Sequence, residues 1–209
     1  LAWFDYGRDR VALTYEIERL LDPSTAGMKR VSPTGKRYAL VIGVGEDPLT
    51  KRTLMAPRSD AAAVAEQLKT KGGFERVILL SDDPEMNMTG QPSANRIRRT
   101  LTELSNQAGR GDELLVFFSG GGLQQGRSTE TDIGLVGRGH DGDGAMVQIV
   151  TLSEMSEILR TSMAAKLVLV DVAHEDSGMS AFNKLPATLE KNFPGMNVLL
   201  SCGDENQQS

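Results

Sequence analysis

Apolar residues occur along this chain in two alternating kinds of run. Short continuous stretches, Tyr38 to Val44, Arg76 to Leu80, Asp112 to Ser119, Lys166 to Asp171 and Asn197 to Ser201, read as strands buried on both faces. Between them lie stretches with helical spacing. Ala61, Val64, Ala65 and Leu68 share one face, with Ser59 as the expected N-cap and Gly72-Gly73 as the stop. Ile97, Leu101, Leu104 and Ala108 share another, closed by Gly109 and Gly111. Thr151-Leu152-Ser153-Glu154 is a capping box that opens a helix with Leu152, Met155, Ile158 and Leu159 inward. Strands alternating with helices predict an α/β fold, a mostly parallel twisted sheet with helices on both faces. Right-handed crossovers leave few topologies open.

Less regular segments complete the pattern. Ile133 to Val136 and Met146 to Val150 are placed to pair as a hairpin across Gly137 to Ala145. Leu185 and Leu189 fit a short helix after an irregular loop over 174–186. Residues 1–35 form an N-terminal arm or linker. Alternation from Val11 to Ile17 fits a strand, Ile17, Leu20 and Leu21 fit a helix, and Pro23 to Gly35 is turn-rich. Residues 36–209 form one domain.

In an open α/β sheet, chemistry sits at the carboxyl ends of the strands. Two ends stand out. The apolar run Leu114 to Phe118 empties into Ser119-Gly120-Gly121-Gly122, which reads as a glycine-rich loop. Leu167 to Val170 empties into Asp171-Val172-Ala173-His174.

Bulk properties narrow the function. Hydrophobic residues make up 39% and charged residues 24%, as in a globular protein with a real core. The net charge of -5 supplies no field toward nucleic acid or anionic membranes, and no basic stripe with interleaved aromatics occurs. Arg96, Arg98 and Arg99 cluster on one predicted helix, but the other basic residues are scattered. The single cysteine, Cys202, cannot form an internal disulfide, which points to a reducing, cytoplasmic setting. No apolar run approaches the ~20 residues needed to span a bilayer.

With the strands placed, the ordered set of segments resembles the caspase-like cysteine peptidases, nearest to the metacaspase and bacterial caspase-homologue branch. Lys36 to Gly43 is similar to that family's opening strand, and Ser59-Asp60-Ala61 begins its next segment. Gly111 to Gly120 is similar to the strand carrying the family's histidine, Lys166 to Asp171 to the one carrying its cysteine, and Leu199 to Gly203 to the strand after it. The resemblance covers about residues 36–206 and implies a domain that continues past the present C-terminus.

The departures bear on activity. The family's Ser-Gly-His-Gly appears as Ser119-Gly120-Gly121-Gly122, and its Asp-x-Cys as Asp171-Val172-Ala173. Glycine and alanine thus stand at the base and nucleophile positions. Thiol peptidase chemistry needs a thiolate and an imidazole that lowers its pKa and protonates the leaving amine. The resemblance also implies that Asp171, with Asp60 lining the same pocket beside Ser119 and Gly120, receives a basic side chain.

The leading expectation is therefore a catalytically dead caspase-like domain that binds a protein partner or basic peptide, with no cofactor, no metal, no nucleic acid and no membrane contact. One alternative is an Arg/Lys-directed endopeptidase of the metacaspase type in an inactivated form. Another is a nucleotide-binding α/β module, from Gly43-Val44-Gly45 after the first strand, although Pro48 replaces the third glycine of the dinucleotide fingerprint. His140-Asp141-Gly142-Asp143-Gly144 resembles a calcium loop but lacks its closing glutamate and reads as a solvated turn. His174, Ser177 and Cys202 read as loop or structural residues.

Overall fold

The computed structural model describes residues 35–46, 53–85, 90–125, 132–137, 149–173, 193 and 195–201. Its elements run β1 (Arg37–Gly43), α1 (Ala56–Thr70), β2 (Arg76–Ser81), α2 (Ala94–Gln107), β3 (Glu113–Gln125), β4 (Asp132–Val136), β5 (Ile149–Thr151), α3 (Leu152–Arg160), β6 (Ala165–Ala173) and β7 (Asn197–Ser201). Strands β2, β1, β3, β6 and β7 lie side by side in that order, every neighbouring pair parallel. The antiparallel strands β4 and β5 extend from the far end of β3. This is the predicted α/β architecture, including the hairpin, in which Leu135 pairs with Val150.

Period-2 alternation sorts the core into two layers. Even-numbered strand residues, among them Leu40, Ile42, Val116, Phe118, Val168 and Val170, pack with Ile97, Leu101, Leu104, Met155 and Leu159 of α2 and α3. Odd-numbered residues, Ala39, Val41, Leu115 and Phe117, pack with Ala61 and Ala65 of α1. Leu199 on β7 belongs to the α1 side and stays exposed.

The ends of α1 correct one expectation. The helix starts at Ala56, before Ser59, and its N-cap, Met55, makes no side-chain cap bond. Pro57 in the first turn has its φ preset for a helix and needs no N–H partner there. Ser59 lies inside the helix and its hydroxyl donates back to the Ala56 carbonyl at 2.8 Å. The C-terminal stop is as expected, with Gly73 at φ +64°.

The capping box at α3 is half used. Thr151 Oγ1 accepts from the Glu154 N–H at 3.1 Å. The Glu154 carboxylate is instead engaged by the Arg98 guanidinium of α2, which also donates to the Ile149 carbonyl at 2.8 Å. Two of the three clustered arginines are thus partnered, since Arg99 pairs with Glu103 one turn away.

α1 sits close on β1 because Gly43 has no side chain. A Cβ there would lie 2.4 Å from the Pro57 carbonyl oxygen and 2.6 Å from Ala61 Cβ. Gly43→Ala is expected to lift the helix and cost about 1–3 kcal/mol, read as a lower midpoint in urea denaturation. An unchanged midpoint would show that the helix can slide without loss.

Candidate functional site

The carboxyl edge of the parallel sheet corrects the reading of the glycine run. Ser119 to Gly122 is not a loop: β3 continues through Gln125. Residues up to Gly121 pair with β6, and Gly122 to Gln125 pair with β4. None of Gly120, Gly121 and Gly122 is among the positive-φ glycines. Ladder pairing overrides glycine's poor strand propensity here. Gly120 serves close packing, since a Cβ on it would lie 3.1 Å from both Phe118 Cζ and Val44 Cβ. On the other strand, β6 runs on to Ala173.

The register sets small and polar residues in rows. Ser81, Gly43, Ser119, Asp171 and Ser201 occupy one row across all five parallel strands, where the apolar core gives way. Two residues further along, Gly121 stands opposite Ala173 on the neighbouring strand. The two departures from the resembled motifs, distant in sequence, are therefore strand neighbours, two positions past Ser119 and Asp171 in the same register.

Ser119 is buried, and its hydroxyl donates to Asp171 Oδ2 at 3.0 Å. Asp60, just past the first turn of α1, lies within electrostatic range of Asp171. Burial, and then the nearby Asp171 carboxylate, push the Asp60 carboxyl above its ordinary range. His174, Ser177, Cys202 and the segment His140 to Gly144 lie outside the described residues. So do residues 1–34, Leu185 and Leu189. Among the described residues no group of three or more His, Cys, Asp or Glu is placed to hold a metal ion. No helix among them is long and apolar enough to cross a membrane.

A neighbouring polar cluster escaped the sequence reading. The side chain of Asp82, just past β2, is fully buried and pairs with Arg58 of α1, accepting from Nε at 2.8 Å and from the terminal guanidinium nitrogen at 3.2 Å. It also accepts the backbone N–H groups of Gly45 at 2.9 Å and Glu46 at 2.7 Å. Burial alone would raise the Asp82 carboxyl. The hydrogen bonds from Arg58, Gly45 and Glu46, with the Arg58 charge, outweigh it and hold the group below its ordinary value. The signal available in the sequence was a carboxylate directly after a buried strand, which is also an ordinary strand end. Gly43 and Gly45, read as a possible fingerprint, both have packing roles, since a Cβ on Gly45 would lie 2.7 Å from Arg58 Nε.

Comparisons with known proteins agree with this architecture. Residues 37–181 match the family model described as metacaspase, peptidase C14 domain. No curated protein matches the chain. Among solved structures, the crystal structure of a Geobacter sulfurreducens protein superposes with a TM-score of 0.53 at 18% identity, over 72% of this chain. The chain spans 55% of that protein's length, and a likeness at this identity speaks for the fold alone. A match over well more than half the chain, on a parallel sheet of order β2-β1-β3-β6-β7, assigns it: this chain belongs to the metacaspase family of caspase-like cysteine peptidases.

Proposed function

We propose that this chain is a caspase-like domain that does not cut, and that it holds a basic segment of a protein partner at the carboxyl ends of β3 and β6. The observation that carries the reading is the facing pair Gly121 and Ala173. A hydrogen and a methyl group supply neither a thiolate nor an imidazole, and losing both removes the partial routes that one survivor would leave. What remains beside them is acidic. Burial, and then the charge of Asp171, disfavour the ionised Asp60 carboxyl, and an arginine or lysine side chain bound beside it would offset both.

A fluorogenic peptide with Arg or Lys before the reporter is expected to bind without turnover. Turnover abolished by one point mutation would overturn the loss of activity, and absence of saturable binding would overturn the binding role. The same register favours a second reading, an Arg/Lys-directed endopeptidase whose dyad has been altered, because side chains restored at these positions would be neighbours. Gly121→His combined with Ala173→Cys separates the two. Robust cleavage after basic residues supports the second reading, and silence from a folded variant supports the first.

A further inference from the structure

We infer that the Arg58–Asp82 pair is a positioning device for the acidic site, fixing the N-terminal turns of α1 and with them the place of Asp60 on the helix flank opposite Arg58. The inference rests on the proposed binding site for its use, though not for its geometry. Arg58 and Asp60 are two residues apart on a helix, which places them about 200° apart around its axis. With Pro57 and Ala61 seated on Gly43, they occupy opposite flanks of the helix. Arg58 reaches toward the end of β2, where Asp82 takes its guanidinium, and Asp60 lies on the other flank, within electrostatic range of Asp171.

Two further observations support a built device. The helix start has no side-chain cap, so its first turn is held by packing on Gly43 and by Arg58. Asp82 gathers the end of β2, the start of the β1–α1 loop at Gly45 and Glu46, and α1 onto one buried carboxylate. The Arg58 ion pair is thus the polar anchor of the turn that carries Asp60. Glu46 and Asp83 are the other charged groups acting on Arg58.

The test is a carboxyl titration of Asp60 by NMR in the unliganded protein, comparing wild type with Arg58→Gln. Removing a cation would by charge alone push the Asp60 midpoint further up. Release of the turn would let Asp60 move from Asp171 and bring the midpoint down toward the ordinary carboxylate value, which is the expected result. Arg58→Lys, with its charge kept but its fork lost, should fall between the two. Gly45→Ala, which pushes on the guanidinium without changing any charge, should also lower the midpoint, and it serves if Arg58→Gln does not fold. An unchanged or raised midpoint in folded variants overturns the inference. In parallel, a fluorescent peptide with one arginine should bind Arg58→Gln on the order of tenfold more weakly than wild type. If wild type itself does not bind, the functional reading fails, while the titration still decides the positioning role.

Discussion

Asp82→Ala is expected to lower stability by about 2–4 kcal/mol at neutral pH, because it strips a buried carboxylate from several donors at once. The Arg58 guanidinium and the N–H groups of Gly45 and Glu46 lose the acceptor that Asp82 gives them. For a chain of this size the melting temperature should fall by roughly 4–15 °C. The effect carries a pH signature. The Asp82 carboxyl is held below its ordinary value in the folded protein, so its ionisation favours folding. That contribution is complete above the unfolded-state carboxylate pKa and disappears as pH falls through the ordinary carboxylate range toward the lower folded value. The gap between wild type and Asp82→Ala should therefore be widest near neutral pH and narrow in acid. Asp82→Asn, which keeps the shape but not the charge, should lie between them. Urea denaturation at several pH values reads all three, and a gap that does not change with pH would contradict the charge-based account.

Asp60→Asn should move stability and binding in opposite directions. Burial and Asp171 raise the Asp60 carboxyl, so the folded state binds its proton more tightly than the unfolded chain does. The ionised group therefore costs stability above its folded pKa, and the cost vanishes as pH drops below the ordinary carboxylate value. Asp60→Asn removes that cost, so its melting temperature should exceed that of wild type at neutral pH and converge with it in acid. Binding of an arginine peptide should weaken, since a charged hydrogen bond is worth about 1.5–3 kcal/mol, roughly 10- to 150-fold in affinity. Strain kept at a binding site at the expense of stability has this signature. A lower melting temperature together with unchanged peptide affinity would remove Asp60 from the site.

Much of this was legible because the sheet is parallel and buried on both faces. Runs such as Tyr38 to Val44 and Leu167 to Val170 can be little else at their length, and the spacing of Ile97, Leu101 and Leu104 fixes one helix face. The glycine run at Ser119 to Gly122 was misread for a physical reason. Local propensity treats three glycines as a turn, whereas the ladder to β6 and then β4 supplies hydrogen bonds that keep them extended. Ser59 was misread because a serine before an apolar stripe resembles a cap, while Pro57 started the helix earlier.

The amino-acid sequence by itself determined the alternation of elements, the two-sided apolar core and the small residues Gly121 and Ala173 just past two strand runs, because each depends on residue type and on spacing of a few positions. Only the tertiary structure decided the register that makes Gly121 and Ala173 strand neighbours, and that Arg58 is held by Asp82. These pairs lie 52 and 24 residues apart in the chain. No local pattern encodes such separations; the order and register of parallel strands and the packing of α1 on Gly43 bring them together.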